Sequence, residues 1–119
     1  MNTISLDEKF ARFNEYWRPK TIAALNGQEV KLVKVKGEFP WHHHEHEDEF
    51  FLVWRGRFRV EFCDHIVTLE PGDCVVVPRG IEHRTCADEE ASIVCFEPAG
   101  TINTGNVKGS AYTAQQEVI

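Results

Sequence analysis

Long hydrophobic runs are missing from this 119-residue sequence. The longest apolar stretches cover only residues 50–54 and 74–77, whereas a membrane-spanning helix needs about 20 apolar residues. A signal peptide is not indicated either, because Asp7 and Glu8 stand where basic and then apolar side chains would be needed. We therefore expect a cytoplasmic protein with no membrane contact.

Basic residues are in the minority, with 13 Lys and Arg against 19 Asp and Glu and a formal net charge of −6. This balance repels a phosphate backbone, so nucleic acid is not an expected partner. The 42% apolar and 11% aromatic fractions exclude an intrinsically disordered chain. A chain of this length can bury roughly two-thirds of its unfolded surface, so we expect a single domain over residues 1–119.

Closely spaced cysteine pairs are also missing, since no C-x-x-C motif occurs. The four cysteines lie nine to twelve residues apart in strand-like segments. This pattern indicates four buried, reduced thiols, with a disulfide or a thiol ligand as the alternative that remains open. The residues are Cys63, Cys74, Cys86 and Cys95.

An apolar stripe near the N-terminus predicts a short helix. Its spacing of four, three and four places the stripe on one helix face, Ser5 begins a capping box, and Pro19 is expected to end the helix. We expect the stripe to pack against the body of the protein or against a second subunit. It consists of Leu6, Phe10, Phe13 and Trp17.

Short strands separated by turn residues follow as far as residue 97. Asn26-Gly27 predicts a β-hairpin between residues 21–25 and 30–35, because these two residue types favour a two-residue hairpin turn. The later turns recur about every seven to ten residues, which is typical of a sandwich or barrel and excludes a parallel α/β fold. They lie at residues 55–56, 63–65, 70–73, 78–80 and 88–90.

Alternation along residues 57–62 predicts one buried and one solvated face. Phe58 and Val60 belong to the first, so Arg57 and Arg59 are interpreted as solvent-facing in preference to an anion site. In residues 30–35 the alternation slips, which leaves the inward face of that strand open. The polar C-terminal tail is left open as a cover, an arm or a loose segment.

Four of the six histidines fall within residues 42–46. On a strand, His42 and His44 point to one face and His43 to the other. Glu49, which opens the next strand, can turn onto the face of His42 and His44. Neutral imidazoles and a carboxylate suit a divalent first-row transition metal.

His83 supplies a third imidazole. It follows a turn in which Pro78 and Gly80 set the dihedral angles that reverse the chain, so that the next strand presents His83 to the interior. His65 lies in a predicted turn and is interpreted as a surface residue. His46 would replace His44 if the register slipped, so the roles of His43 and His46 stay open.

These residues resemble the two sequence motifs of the cupins, over about residues 27–97. The first gap of motif one is a residue short, and Ala87 stands in place of the final asparagine of motif two, a position that is structural in the family. The similarity is to small single-domain bacterial cupins. The residues that match are Gly37, His42, His44, Glu49 and Gly56 in the first motif and Gly72, Pro78, Gly80 and His83 in the second.

The resemblance implies an all-β jelly-roll barrel with a core at about residues 27–97, a helix and hairpin segment at 1–26 and a tail at 98–119. It also implies a homodimer and one divalent transition metal (Fe, Mn, Zn, Ni or Co) per chain. The metal ligands would be His42, His44, Glu49 and His83. Strand parity adds Phe51, Val53 and Thr85 as lining residues of a pocket for a small-molecule ligand.

The function we favour from this resemblance is a metal-dependent dioxygenase acting on a small metabolite. Two alternatives remain open. One is a metal-dependent isomerase or epimerase of sugars or small acids, and the other is a non-catalytic ligand-binding or sensory module.

Overall fold

Seven β-strands and one short helix make up the regular structure of the computed structural model, which describes residues 1–119. The expected all-β fold with a short N-terminal helix is therefore confirmed. The helix is α1 (Leu6–Phe10), and the strands are β1 (Lys20–Leu25), β2 (Gln28–Glu38), β3 (Glu49–Arg55), β4 (Phe58–Phe62), β5 (Ile66–Leu69), β6 (Cys74–Val77) and β7 (His83–Pro98).

The long strand β7 connects the two parts of the sheet. It pairs antiparallel with β2 from Cys86 to Pro98, and its C-terminal half pairs with β3 on the other side. Its N-terminal half pairs with β4, which pairs in turn with β5. The strand order β1-β2-β7-β3-β6 thus has β4 and β5 branching from β7, and the strands enclose one interior.

The main core lies in that interior and consists of 14 buried residues. In β4 the alternation is confirmed, because Phe58 and Val60 are buried. Arg57 and Arg59 point outward and pair with Glu70 and Asp88 at 2.9 and 2.8 Å. Burial of the apolar face is the main stabilising contribution, at roughly 25 cal/mol per Å².

The predicted hairpin between β1 and β2 is confirmed. Leu25 pairs with Gln28, which leaves a two-residue turn. Asn26 and Gly27 adopt φ angles of 52° and 75°, the left-handed values that this turn requires.

The N-terminal helix is shorter than predicted. The Ser5 side chain accepts a hydrogen bond from the Glu8 N–H at 3.2 Å, so the predicted cap is confirmed. The helix nevertheless ends at Phe10, and Trp17 has a φ of 63°, which no α-helix contains. The expectation of a helix that continues to Pro19 is therefore wrong.

Packing explains the early end of the helix. Phe10 and Phe13 cover Leu32 on the outer face of β2, whereas Trp17 enters the main core. A single straight helix would present all of these side chains to one surface. The same contacts explain the mixed pattern of β2, because Leu32 is covered on one face while Val33 is buried on the other.

Two further expectations are corrected. Cys86 and Cys95 are buried, but Cys63 and Cys74 are exposed, because one lies in the turn after β4 and the other begins the edge strand β6. All four thiols are free. Residues 88–90 form no turn between strands, since β7 continues through them as it passes from β4 to β3.

The C-terminal tail packs back onto the barrel. The Thr21 N–H donates to the Glu117 carbonyl at 2.7 Å, and the Ile119 N–H donates to the Thr21 carbonyl at 3.0 Å. Thr104 in the middle of the tail is fully buried. The tail therefore covers the free edge of β1. No helix of the chain has the length and apolarity that crossing a membrane requires.

Candidate metal centre

Four side chains of metal-ligand type meet inside the barrel. His42 and His44 lie in the connection between β2 and β3, Glu49 begins β3, and His83 begins β7. One ligand atom of each lies within 4.8 Å of the others, and all four residues are buried. The structure therefore brings together the four residues indicated by the two motifs.

The His-rich segment is not the regular strand that the sequence predicts. Backbone hydrogen bonds hold it in place instead. His42 and His83 each donate an N–H to the carbonyl of the other at 2.9 Å. The Gly80 N–H donates to the His44 carbonyl at 2.8 Å. These bonds join the first motif to the turn of the second, so the imidazoles approach one another without a strand.

Two of the imidazoles are oriented by backbone carbonyls. His42 Nδ1 lies 2.8 Å from the Pro40 carbonyl oxygen, and His83 Nδ1 lies 2.8 Å from that of Ile81. A neutral ring that donates from Nδ1 keeps a lone pair on Nε2. Both rings are thereby prepared to bind a metal through Nε2.

Buried polar atoms without hydrogen bonds are concentrated at this centre. They include both ring nitrogens of His44, Nε2 of His83 and Oε1 of Glu49. Glu49 Oε1 lies only 3.0 Å from His44 Nε2 and 3.4 Å from His83 Nε2, yet neither contact has hydrogen-bond geometry. Buried polar atoms normally have partners, and nitrogen and carboxylate donors are those that a divalent transition metal prefers. The residues present fit such an ion.

The electrostatics of the site keep His42 and Glu49 in their metal-binding forms. Burial, helped by the neighbouring His83, lowers the pKa of His42 to about 4. Burial alone would raise the pKa of Glu49, but the rings of His44 and His83 outweigh it and bring the pKa below its ordinary value. A neutral imidazole and an ionised carboxylate are the forms that bind a metal ion.

The remaining histidines lie outside the centre. His43 points away from it and contacts Glu82 at 3.0 Å. His46 is exposed, so the register in which it replaces His44 is not the one found. His65 is exposed as expected and stacks on Phe62 with ring centroids 4.7 Å apart.

A cavity of about 50 Å³ is lined by two of the four residues, His42 and Glu49. Phe51 and Thr85 line it, as strand parity predicted, whereas Val53 is buried in the core and does not reach the cavity. Most of its wall is apolar. The lining residues are Trp17, Pro19, Val33, Val35, Phe39, His42, Glu49, Phe51, Phe58, Thr85, Cys95, Glu97 and Asn103.

One cavity residue, Glu97, was missed by the sequence reasoning. It is only 4% exposed, and its Oε1 lies 3.0 Å from Nζ of Lys31, which is 3% exposed. Burial and the neighbouring Glu49 raise the pKa of Glu97 well above its ordinary value. Parity along β7 was the available signal, because Glu97 follows the inward-facing Ile93 and Cys95 at steps of two.

Known protein families and relatives match the part of the chain that contains the four candidate ligands. A family model described as a cupin domain matches residues 29–97. The uncharacterized protein YdbB of Bacillus subtilis (strain 168) is 33% identical over 91 residues, which are 76% of this chain and 74% of that protein.

Two solved structures are similar over most of their length. A cupin-2 domain containing protein from Shewanella frigidimarina NCIMB 400 is 44% identical with a TM-score of 0.79, covering 80% of this chain and 93% of that chain. Protein NMB1881 from Neisseria meningitidis is 32% identical with a TM-score of 0.76, covering 82% of this chain and 100% of that chain.

Proposed function

We propose a function for this chain, which belongs to the cupin family. On that premise we propose that the protein binds one divalent transition metal ion and acts as a dioxygenase on a small, largely apolar metabolite. The ion would be held by His42, His44, Glu49 and His83. The observation that carries this is a buried cluster of three imidazoles and one carboxylate, in which His44, His83 and Glu49 have atoms without hydrogen-bond partners.

The protein supplies four ligands, so an ion that prefers six keeps positions for other molecules. Of the ions that suit these ligands (Fe, Mn, Zn, Ni or Co), iron supplies the redox chemistry that reaction with dioxygen requires. His42 and His83 are held by backbone carbonyls, so both present Nε2 with little reordering. Glu49 adds the negative charge that stabilises a cation in a buried site.

The cavity wall supports an oxidation more than a sugar isomerisation. Phe39, Phe51 and Phe58 bind carbon skeletons by apolar contact. Several hydroxyl groups of a sugar would be left without partners against such a wall. A dioxygenase that cleaves a carbon–carbon bond, or oxidises a thiol to a sulfinic acid, places both oxygen atoms of O₂ in its products and takes all four electrons from the substrate, so no external reductant is needed.

Oxygen uptake tests the proposal. The protein is loaded anaerobically with Fe(II) and exposed to oxygen with a panel of small diols, thiols and diketones. We expect one panel member to be consumed mole for mole with oxygen. His83→Ala should abolish the uptake, whereas His65→Ala, a change at an exposed imidazole, should retain it.

Two results would contradict a dioxygenase and identify the alternative. Proton exchange in sugar phosphates without oxygen consumption would indicate an isomerase. Metal-dependent binding of a panel member without turnover would indicate a sensory module.

The homodimer also remains a proposal. The N-terminal stripe no longer supports it, because Phe10, Phe13 and Trp17 are buried within their own chain. Family resemblance is the remaining support. Sedimentation at micromolar concentration tests it, and a monomer there would remove the dimer.

A further inference from the structure

Glu97 is placed at the cavity without serving the centre as a ligand. It lies near the end of β7, lines the same cavity as His42 and Glu49, and is absent from the group of four ligand residues. Its Oε1 pairs with Lys31 Nζ at 3.0 Å, while its Oε2 is buried and has no hydrogen-bond partner. Lys31 therefore holds one oxygen in position, the neighbouring Glu49 lies against the same carboxyl group, and no hydrogen-bond donor of the protein faces Oε2.

Strand register explains how Lys31 holds this carboxyl group. Lys31 pairs with Cys95 across β2 and β7, so Glu97 is its diagonal neighbour on the same face of the sheet. Lys31 Nζ also lies 3.5 Å from the Thr101 carbonyl oxygen, which secures the ammonium from a second side. Glu97 thus has a defined position in the wall of the cavity.

Stability alone does not account for this arrangement. A buried ion pair is commonly no more stabilising than apolar side chains of similar volume. A buried carboxylate oxygen without a partner is costlier still, because nothing replaces its hydration. A ligand group that bonds to Oε2 would satisfy it.

We propose that Glu97 is a specificity-determining residue that selects a ligand carrying a hydroxyl group, a role that rests on the function proposed above. A hydroxyl group both donates and accepts a hydrogen bond, so it pairs with a carboxylate or with a carboxylic acid. Recognition therefore does not depend on the protonation state of Glu97.

The cavity limits the size of this ligand. Its 50 Å³ corresponds to about three to five water-sized positions. Phe51, Phe58 and Val35 form the apolar part of the wall and accept a short carbon chain. The ligand class is therefore a hydroxy compound with a short, otherwise apolar skeleton.

Hydroxyacetone and butanone are the probes for this inference. They have the same number of non-hydrogen atoms and the same ketone, and differ only in a hydroxyl group that replaces a methyl group. Their dissociation constants are measured by ligand-observed NMR on the wild-type protein, both zinc-loaded and metal-free. Zinc keeps the sample diamagnetic, and metal analysis of the same samples reports the occupancy.

We expect the wild-type protein to bind hydroxyacetone about tenfold more tightly than butanone, the size of one hydrogen bond. Glu97→Gln should reduce this preference by about half or more, because Lys31 holds the amide oxygen and the NH₂ group that replaces Oε2 can donate to a hydroxyl group but cannot accept from it. Glu89→Gln is the matched control, since Glu89 lies exposed on the same strand and should leave the preference unchanged.

Equal binding of the two probes by the wild-type protein in both forms would overturn the inference, as would a lack of hydroxyacetone binding in both. The inference would also be overturned if Glu97→Gln kept the wild-type preference for hydroxyacetone over butanone. If zinc affinity changed at the same time, Glu97 would act only by supporting Glu49. The wild-type comparison requires no variant and so stands if Glu97→Gln does not fold. A preference for hydroxyacetone that Glu97→Gln loses in samples that bind no zinc would support Glu97 and contradict the metal-dependent function.

Discussion

His42 and His83 exchange two backbone hydrogen bonds of 2.9 Å while their imidazole centroids lie 4.5 Å apart. Residues directly opposed in an antiparallel pair project their side chains to the same face. This single bridge therefore places two candidate metal ligands from distant parts of the chain side by side. Each ring is then oriented by a carbonyl two residues before it in the chain.

Removal of one imidazole should abolish metal binding. We expect the wild-type protein to hold about one divalent ion per chain and His83→Ala to bind it at least about 100-fold more weakly, since even groups that only support a ligand contribute 10–100-fold. Elemental analysis after dialysis measures this. The exposed His65 provides the control substitution, and metal retained by His83→Ala would show that the ligand set is wrong.

Gly105 controls the approach of the C-terminal tail to the metal centre. A Cβ at this position would lie 2.1 Å from the His43 carbonyl oxygen, and the φ angle is 55°. We expect Gly105→Ala to lower the free energy of unfolding by about 2–4 kcal/mol and to weaken zinc binding, because the His42–His44 segment must shift.

Gly109→Ala is the matched control for this change. Gly109 has a similar φ of 68°, but a Cβ there would meet nothing within 4 Å. It should cost only about 1 kcal/mol of backbone strain and leave zinc affinity unchanged. Urea unfolding and zinc titration of both variants measure the difference, and equal effects would refute the steric account.

The metal-free protein should lose stability as the pH falls below 6.5, the ordinary pKa of histidine. His42 has a pKa of about 4 in the folded protein. Between pH 6.5 and pH 4 the unfolded chain therefore binds more protons than the folded protein. Its contribution is complete above the unfolded pKa and is lost as the pH falls towards the folded one.

The loss assigned to His42 is about 2 kcal/mol between pH 7.5 and pH 5. Urea unfolding in the presence of a chelator is measured at both pH values for the wild type and for His42→Gln. The difference between the two proteins separates the contribution of His42 from that of other titrating groups. The variant should show the smaller decrease. Parallel pH profiles for the two proteins would contradict the assignment.

Breaking the buried pair of Lys31 and Glu97 should be costly. Lys31→Met leaves the Glu97 carboxyl group in the interior without its partner, and we expect a loss of about 1–3 kcal/mol, the cost of an unpaired buried polar group. The double variant Lys31→Met/Glu97→Leu should recover much of it, because no charge is then buried. Urea unfolding measures each.

Arg57 and Glu70 offer the surface comparison for that experiment. Their side chains are 72% and 54% exposed, although their separation of 2.9 Å is similar to that of the buried pair. Arg57→Met should change stability little, because solvent screens the pair. Equal losses from Arg57→Met and Lys31→Met would contradict the account from burial.

Local pattern in the sequence was sufficient for most of the strands and for the four residues that meet at the candidate metal centre. Asn26-Gly27 formed its turn because both residues adopt left-handed dihedral angles at low cost. His42, His44, Glu49 and His83 were found because the spacing around a cupin metal centre is short and regular within each motif.

Contacts between distant segments decided the rest. The helix ends early because Phe10 and Trp17 pack into different clusters. The local spacing of apolar residues does not predict that they pack in two separate places. The tail docks where Gly105 permits close approach to His43. Lys31 and Glu97 become partners only when β2 lies beside β7. Periodicity reports which face a side chain occupies, but the neighbour across the interior depends on how the whole chain folds.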